Sequence, residues 1–473
     1  MTSGQFYSVL QQKFPFQPTV KQDIFFQQIA DFVTNANDDE VFVLKGYAGT
    51  GKTTIISTLV NNLSAINKKY VLLAPTGRAA KVIANYSDKS AHTIHKKIYF
   101  PKKNSSGGVA FTMQTNKHRN TIFIVDEASM ISDIDSDSKM YVNGSLLDDL
   151  LIYIYNGVNC KLILMGDTAQ LPPVNLEVSP ALNTDTLAMN YNKEVFSIEL
   201  DEVMRQEEHS GILYNATELR EILKSHFIDT FQFKLRGYKD IVRLVDGYDI
   251  QDAIQSAYSN YSIEDTCFIV RSNKRANQYN QQIRTKILDK ESELSVGDFL
   301  MVVKNNYFWL KDSDEAGFVA NGDIIEVLEI FGFKELYGFN FAKVKIRMVD
   351  YPSQKPIETI LLLDTIKSES PSLTFEESNR LYQEVMKDYE GEAQYRKFLK
   401  VKNNEYFNAL QVKFSYAITC HKSQGGQWNT VFIEQPYLPN GIDVDYVRWL
   451  YTAITRAKDK LYLIGFKDEN FED

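Results

Sequence analysis

Residues 46–53, with the sequence GYAGTGKT, have the glycine spacing and the final Lys-Thr pair of a phosphate-binding loop. An apolar strand leads into this loop, and a helical segment, KTTIISTLVNNL, follows it. Glycines allow consecutive backbone N–H groups to point into one concavity at a helix N-terminus, where they bind phosphate oxygens. We expect Lys52 to reach the β and γ phosphates of a nucleotide and Thr53 to ligate magnesium. A chance glycine turn is the alternative, and the strand–loop–helix context argues against it.

Two carboxylates, Asp126 and Glu127, follow a second apolar strand in the segment IFIVDEAS. An aspartate at this place can hold Mg²⁺ through water, and the next carboxylate can orient and deprotonate an attacking water. Acidic residues after a strand usually only face solvent, but next to a phosphate loop they are better explained as a hydrolytic pair. The two motifs together predict hydrolysis of a nucleoside triphosphate.

Two arginines could supply the positive charge that hydrolysis needs at the γ-phosphate. They are Arg205 in LDEVMRQ and Arg456 in YTAITRAKDK. An arginine in this role is worth roughly 10³ to 10⁵ in rate, although either one alone would more often be a surface or ion-pair residue. If both serve the phosphate site, the nucleotide binds in a cleft between two structural units, and binding and hydrolysis draw the units together and release them.

The elements that must position these residues alternate between strand and helix. After a predicted amphipathic helix at residues 18–35, four apolar strands recur: VFVLKG, YVLLAPT, TIFIVDEAS and CKLILMGDTAQ. This pattern predicts a parallel sheet covered on both faces, with ligands at the carboxyl ends of the strands. A second α/β unit begins near Leu200, and residues 296–407 have the short alternating strands of a small inserted barrel, with a polar helical segment at about 374–400.

The composition narrows the class of protein. The 473 residues, 44% hydrophobic and 24% charged, are expected to form about three domains of a soluble protein, which by default is cytoplasmic. The three cysteines are far apart, so disulfides and a structural zinc are not expected. The net charge is −9, yet residues 96–120 carry six Lys or Arg and no acid, and residues 271–286 carry five and no acid. Two such stretches in an acidic protein indicate a path for a polyanion.

Two other kinds of nucleotide-binding protein fit less well. A GTP-binding switch would carry Asn-Lys-x-Asp to recognise guanine, but SNKRAN has Ala276 where the aspartate should be. A small-molecule kinase would not need two α/β units and basic stretches.

Nine segments in order then resemble the motifs of superfamily-one DNA helicases: PTVKQ, GYAGTGKTT, LAPTGRAAKVI, SAHTIHK, VDEAS, GDTAQLPPV, LDEVMRQ, ITCHKSQGGQW and YTAITRAK. The resemblance spans residues 17–465 and is greatest to the RecD and phage Dda branch, which translocates 5′ to 3′ on single-stranded DNA. It implies two tandem RecA-like P-loop domains with parallel sheets, a small β-hairpin insertion and an SH3-like β-barrel insertion. The expected boundaries are 1–98 and 121–198 for the first RecA-like domain, 99–120 for the hairpin, 199–295 and 408–473 for the second RecA-like domain, and 296–407 for the barrel.

The resemblance also implies roles at the nucleotide. Gln22 would read adenine, Gln170 would sense the γ-phosphate, and the two arginines would act as arginine fingers. The catalytic set is Lys52, Glu127, Gln170, Arg205 and Arg456. The residues expected to contact ATP are Gln22, Gly46, Ala48, Gly49, Thr50, Gly51, Lys52, Thr53, Thr54 and Gly425. The Mg²⁺ ligands would be Thr53 and Asp126.

A third set is expected to contact DNA. Its members are Pro75, Thr76, Thr93, His95, Phe100, Phe111, Asn273, Thr419, His421, Ser423 and Gln424. The basic stretch at 96–120 falls where the family carries the hairpin that splits duplex, and its SSGG turn supports a β-hairpin. Phe100 or Phe111 could stack on a base at its tip, and packing inside the small domain is an equal alternative.

The segment TCHKSQGGQW could also suggest a Cys-His nucleophile. Adjacent residues on a strand point to opposite faces, so Cys420 and His421 are badly placed to pair. A strand end that turns at Gly425 and Gly426 fits better, with short polar side chains offered to a sugar-phosphate backbone.

The motifs predict hydrolysis of ATP with Mg²⁺, and the resemblance implies a DNA helicase, whose 5′-to-3′ polarity rests on the resemblance alone. Its expected partners are single-stranded DNA and forked duplex DNA, it is expected to act as a monomer without a membrane, and single-strand-binding or replication proteins are candidate partners. Three alternatives stay open: a translocase that does not separate duplex, a helicase that acts on RNA–DNA hybrids, and a noncatalytic nucleic-acid-binding subunit.

Overall fold

The computed structural model describes residues 1–103, 109–134, 142–202, 209–225, 228, 231–310, 318–439 and 441–472. Within this part of the chain no helix is long and apolar enough to cross a membrane. Two parallel sheets, a two-stranded hairpin and a closed five-stranded barrel make up the β structure. The predicted fold, two α/β units with a hairpin insertion and a barrel insertion, is confirmed.

The elements of the first unit, with those of the hairpin, are α1 Ser3–Lys13, α2 Val20–Thr34, β1 Glu40–Gly46, α3 Lys52–Asn62, β2 Lys69–Ala74, α4 Gly77–Ser87, β3 Ala91–Thr93, α5 Ile94–Ile98, β4 Tyr99–Lys103, β5 Val109–Met113, β6 Arg119–Val125, α6 Leu146–Tyr155, β7 Val158–Gly166, α7 Thr184–Tyr191 and β8 Glu194–Leu200. The unit is built on a parallel sheet of six strands in the order β3-β2-β6-β7-β1-β8. Strand β1 alternates its side chains between two cores: Phe42 and Leu44 pack with α2 and α3, while Val41 and Val43 pack with α6. The sheet is therefore covered on both faces, and its polar loops are confined to the strand ends.

Strands β4 and β5 form the predicted hairpin, paired from Tyr99 with Met113 to Lys103 with Val109. Its base is fixed to the first unit because the Tyr99 hydroxyl donates to Asp149 Oδ2 at 2.5 Å and Gln114 Nε2 donates to the Tyr99 carbonyl at 2.7 Å. The SSGG turn and the Phe111 side chain lie outside the described residues.

The second unit begins with α8 Gly211–Ser225, β9 Ile241–Leu244, α9 Gly247–Asn260, β10 Thr266–Val270 and α10 Asn273–Lys286. The chain then forms the barrel and its helices: β11 Phe299–Val302, β12 Ile324–Leu336, β13 Phe339–Met348, β14 Ile357–Leu362, α11 Asp364–Lys367, α12 Phe375–Lys387, α13 Gln394–Lys402 and β15 Leu410–Phe414. It returns through β16 Ala417–Thr419, α14 Cys420–Ser423, β17 Trp428–Glu434, α15 Val444–Ile454 and β18 Ala457–Ile464. The second sheet is parallel, in the order β16-β10-β17-β18-β9.

The barrel extends further along the chain than the expected end at residue 407. Strand β15 pairs with both β11 and β14, so the barrel needs residues 410–414 to close. The polar helical segment expected at about 374–400 forms two helices, α12 and α13.

A buried polar cluster joins the barrel to the second unit where the chain enters and leaves it. Arg284 and Asp298, 1% and 0% exposed, form an ion pair at 2.9 Å, and the Tyr416 hydroxyl donates to Asp298 at 2.8 Å. The Ser415 amide donates to the Phe299 carbonyl at 3.1 Å, so the two crossing points are adjacent. Because every member has a partner, the cluster ties the barrel firmly to α10.

The barrel also touches the first unit, at helix α4. Lys81 lies 3.7 Å from Asp350 and donates to the Val349 carbonyl at 3.1 Å. Asp323, which is fully buried, approaches Gly77 so closely that an added Cβ would lie 2.6 Å from its Oδ1. The barrel is thus in contact with both α/β units.

Candidate nucleotide and nucleic-acid site

The phosphate loop connects β1 to α3 and needs two glycines with left-handed backbone, Gly49 at φ 75° and Gly51 at φ 77°. Lys52 is the first residue of α3, and its ammonium donates to the carbonyls of Gly46 at 2.5 Å and Tyr47 at 2.8 Å. The ammonium therefore lies within the loop, at the N-terminus of a helix, where backbone N–H groups favour an anion.

Gln22 lies next to this loop and is 1% exposed. Its Nε2 donates to the Thr50 carbonyl at 3.0 Å, and its Oε1 accepts from the Thr19 amide at 3.0 Å as part of the cap of α2. The structure thus joins Gln22 to the phosphate loop through its amide.

Asp126 and Glu127 follow β6 at the same edge of the sheet as the loop. The Glu127 amide donates to Asp126 Oδ1 at 2.8 Å, and Glu127 has a left-handed backbone at φ 52°. Burial raises the pKa of Asp126 to about 7, with a further contribution from the charge of Glu127, while the charges of Lys52 and Arg456 act in the opposite direction. Four charged side chains from both units therefore converge here.

Arg456 reaches the site from the second unit, at the end of α15. It is 3% exposed, its Nε donates to the Thr452 carbonyl at 3.0 Å, and its Nη1 lies 3.9 Å from Glu127 Oε1. Arg205, the other predicted arginine finger, lies outside the described residues.

Gln170 lies in the loop that follows β7, which we call the 167–171 loop. It is 7% exposed, and its Oε1 has no hydrogen-bond partner among the described residues. Helix α15 holds this loop from the other unit: Arg448 Nη1 donates to the Thr168 carbonyl at 2.6 Å and the Leu171 amide donates to Thr452 Oγ1 at 2.9 Å. The loop is therefore held in place, while the side-chain oxygen Oε1 of Gln170 remains available as a hydrogen-bond acceptor.

The candidate nucleic-acid residues of the first unit lie at the ends of two neighbouring strands, because β2 pairs with β3 up to Ala74 and Thr93. Pro75 and Thr76 follow β2, and the Thr76 hydroxyl caps α4. The Thr93 hydroxyl caps α5 and is 4% exposed. Burial lowers the pKa of His95 to about 4, so this imidazole is neutral at physiological pH.

The second unit offers a matching pair of strand ends, because β10 and β16 pair up to Val270 and Thr419. Asn273 and Thr419 line one small cleft together with Lys413 and Lys422. Burial lowers the pKa of each of these lysines to about 8. His421, on α14, is exposed.

Three residues of the same segment face inward. The Ser423 hydroxyl is fully buried and donates to the Cys420 carbonyl at 2.7 Å, and Gln424 Nε2 donates to the Leu171 carbonyl at 2.7 Å. Gly425, at φ 72°, lies against α4: an added Cβ would be 2.7 Å from the Ala79 Cβ. Gln424 and Gly425 thus connect the two units, and Ser423 is bonded within its own helical turn, so none of the three presents a polar side chain to solvent.

At the hairpin, Phe100 is 44% exposed. Phe111 pairs with Pro101 through its backbone, and its side chain is outside the described set.

Comparison with known proteins agrees with this geometry. A family model described as an AAA domain matches residues 27–231, and one described as a UvrD-like helicase C-terminal domain matches residues 414–464. Protein R530 of Acanthamoeba polyphaga mimivirus, itself uncharacterized, is 25% identical over 93% of this chain and 98% of its own length. The ATP-dependent DNA helicase Dda of Enterobacteria phage T4 is 24% identical over 89% of this chain and 93% of its own length. The two family models and the similarity to Dda together support a superfamily-one helicase.

Among solved structures, a crystal structure of Pif1 helicase from Bacteroides in complex with ADP-AlF3 and ssDNA is similar to this helicase. It has a TM-score of 0.49 and 15% identity, and the match covers 96% of this chain and 94% of that chain.

The helicase has oxygen ligands of the kind Mg²⁺ prefers, the Thr53 hydroxyl and the Asp126 carboxylate. The fit rests on Asp126: burial works against its ionised form, and a divalent cation next to it would favour that form. If bound, Mg²⁺ would supply positive charge to phosphate oxygens.

Sequence reasoning did not single out Asp167, Arg448, Tyr451 or Lys422, although the first three bridge the two units and Lys422 lies beside Thr419. Three of them stand inside the motif segments GDTAQLPPV, YTAITRAK and ITCHKSQGGQW. The available signal was therefore position within a motif, but a sequence does not show which motif residues point across a domain boundary.

Proposed function

We propose that this helicase hydrolyses ATP in the cleft between its two α/β units, translocates 5′ to 3′ on single-stranded DNA and separates duplex at a fork. The observation that carries the proposal is the contact between Arg456 of the second unit and Glu127 of the first. A hydrolytic carboxylate in one unit and an arginine in the other form a site that is complete only when the units are together.

Each residue has a defined part in the reaction. The phosphate-loop amides and Lys52 hold the β and γ phosphates, with Thr53 and Asp126 as the Mg²⁺ ligands. Glu127 orients a water and accepts its proton. Arg456 leaves its contact with Glu127 and places its positive charge beside the oxygens of the departing phosphate. Loss of that phosphate removes what Arg456 binds, so the units separate.

The nucleic-acid strand is proposed to lie across the strand ends of both units, over Thr76 and Thr93 in the first and Asn273 and Thr419 in the second. Gly425 and Gln424 join the second unit to α4 and to the 167–171 loop. Opening of the cleft therefore also changes the distance between the strand-binding residues of the first unit and those of the second. A strand held alternately by each unit would then be moved along. Support for DNA as the strand comes from the similarity to Dda.

The hairpin of β4 and β5 is the proposed wedge at the fork. A base-pair step has about 1.4 kcal/mol of stacking on average, so a hairpin fixed at its base by Tyr99 and backed by directional movement can separate strands. The exposed Phe100 is its proposed contact with a base.

The test is ATP turnover with and without single-stranded DNA, followed by strand displacement on forks that carry only a 5′ tail or only a 3′ tail. We expect DNA-stimulated turnover and displacement from the 5′-tailed fork alone. Stimulated turnover without displacement would favour a translocase, displacement from the 3′-tailed fork would refute the polarity, and no turnover would refute the enzyme assignment. A fork with one RNA strand extends the same assay to hybrids.

A further inference from the structure

Tyr451, on helix α15, places its hydroxyl group in the first unit. The hydroxyl oxygen accepts a hydrogen bond from the Ala48 amide at 3.1 Å, and the hydroxyl donates to Asp167 Oδ2 at 2.6 Å. Ala48 belongs to the phosphate loop and Asp167 to the 167–171 loop. One side chain of the second unit thus joins the two loops of the first unit that face the nucleotide.

This bridge has the features of a fixed connection. Tyr451 and Asp167 are 1% and 2% exposed, and Asp167 Oδ1 accepts from the Ala169 amide at 2.9 Å. Burial, followed by the charge of Asp167, raises the pKa of Tyr451, so the hydroxyl keeps its proton as a donor at physiological pH. A hydrogen bond to a buried carboxylate is among the stronger ones in proteins.

The bond with Ala48 is of another kind, because a ligand can compete for it. A phosphate-binding loop works through its backbone N–H groups, and in this structure one of those groups is used by a phenol oxygen. A phosphate oxygen carries more negative charge than a phenol oxygen and is the stronger acceptor. A nucleotide that takes the Ala48 N–H leaves Tyr451 bound to Asp167 alone.

Helix α15 carries the consequence to the catalytic groups. The same helix holds the 167–171 loop through Arg448 and Thr452, and the Thr452 carbonyl accepts from Arg456 Nε. A change at Tyr451 therefore reaches Gln170 and Arg456 through short hydrogen bonds made by this one helix.

We propose that Tyr451 is a positioning residue that links phosphate binding at Ala48 to the placement of Gln170 and Arg456, with its hydroxyl occupying a phosphate-loop amide until the nucleotide displaces it. The inference rests on the proposed ATP hydrolysis and adds the group that couples binding to closure of the cleft.

The test is Tyr451→Phe, which keeps the ring and removes only the hydroxyl. We expect DNA-stimulated kcat to fall about tenfold, the cost of losing a hydrogen bond to a charged group. We expect affinity for a fluorescent ATP analogue to rise about fivefold, because the Ala48 amide no longer has to leave a partner. Weaker binding together with lower kcat would indicate a merely structural role and overturn the proposal.

Tyr446→Phe is the matched control. Tyr446 is on the same helix, is 3% exposed, and donates to Gln435 Oε1 at 2.6 Å, a bond within the second unit. We expect its kcat and analogue affinity to stay within twofold of wild type. A Tyr451→Phe protein that behaves like the control, beside an active wild type, would sink this proposal and leave the proposed function intact.

A second variant protects the test against misfolding. Asp167→Asn keeps the size of the side chain and weakens the bond from Tyr451. If the two residues act as one unit, the double variant should lose no more kcat than the larger of the two single losses, whereas losses that multiply would contradict the linkage. If the wild type shows no turnover, the proposed function fails, and the binding measurement still decides whether Tyr451 competes for the loop.

Discussion

Arg456 and Glu127 face each other across the boundary between the two α/β units, with Arg456 Nη1 3.9 Å from Glu127 Oε1. The arginine is almost fully buried, and its other bonds go to backbone carbonyls and a threonine hydroxyl of its own unit. Its charge is thus held beside the carboxylate that is expected to activate water.

Replacing Arg456 with alanine should lower kcat for ATP hydrolysis by about 10³-fold or more, because this charge acts on the transition state. The affinity for ATP should change far less, as measured with a fluorescent analogue. Arg396→Ala, at an exposed position of α13, is the control and should keep its kcat. Equal losses of affinity and kcat in Arg456→Ala would contradict the arginine-finger role.

Replacing Lys52 with alanine should reduce hydrolysis by about 10²-fold or more, the usual cost of removing one preorganised positive group from a site of developing charge. Binding of single-stranded DNA should persist and should keep its decrease with rising salt, because the proposed strand contacts do not include Lys52. Turnover and filter binding at two salt concentrations check both parts. A Lys52→Ala protein with normal turnover would refute the phosphate-loop assignment.

Replacing Gly425 with alanine should weaken the contact between the second unit and α4. The new methyl group would stand 2.7 Å from the Ala79 Cβ and 3.2 Å from Thr76 Oγ1, in a left-handed backbone that itself costs alanine about 1 kcal/mol. Gly441→Ala is matched, because Gly441 has φ 81° and open space around it. Both variants should melt at lower temperature, but only Gly425→Ala should lose DNA-stimulated turnover. Equal turnover in the two would show that this contact does not matter for coupling.

Asp323 should make the stability of the protein depend on pH. Burial, with a smaller effect of Asp350, raises its pKa to about 8, while Lys96 acts to lower it. The folded protein therefore binds a proton that the unfolded chain releases near pH 4, so this group destabilises the fold progressively as pH rises from about 4 to 8. In Asp323→Asn the midpoint of urea unfolding should fall less over this pH range than in the wild type. The gain in stability over the wild type should be largest at pH 8. An unchanged slope would show that Asp323 is ionised in the folded protein.

The sequence predicts those parts of the fold in which an apolar run of strand length ends in a polar motif. Strands β1, β2, β6 and β7 are apolar runs that end in polar motifs, and the phosphate loop and the Asp126-Glu127 pair follow from those ends. Strand β3 has only three residues and β8 has mixed burial, so neither has a recognisable pattern. Their places in the sheet are fixed by pairing with β2 and β1, which is a tertiary effect.

The candidate site was predictable by residue type but not by contact. The polar residues of TCHKSQGGQW were expected to face a nucleic-acid backbone from a strand end. The structure instead forms a helical turn at 420–423, which buries Ser423 and directs Gln424 to the Leu171 carbonyl. A partner 253 positions away leaves no trace in the local sequence, and the same holds for Tyr451 and Ala48.

The barrel is entered and left at one point, where Phe299 and Ser415 are hydrogen-bonded neighbours. Removal of the residues between them would require only a short turn to restore the second unit, because β10, β16 and α10 all lie outside the excised piece. The barrel is in this sense a separable module, because neither parallel sheet contains one of its strands and the order of strands in both sheets does not depend on it.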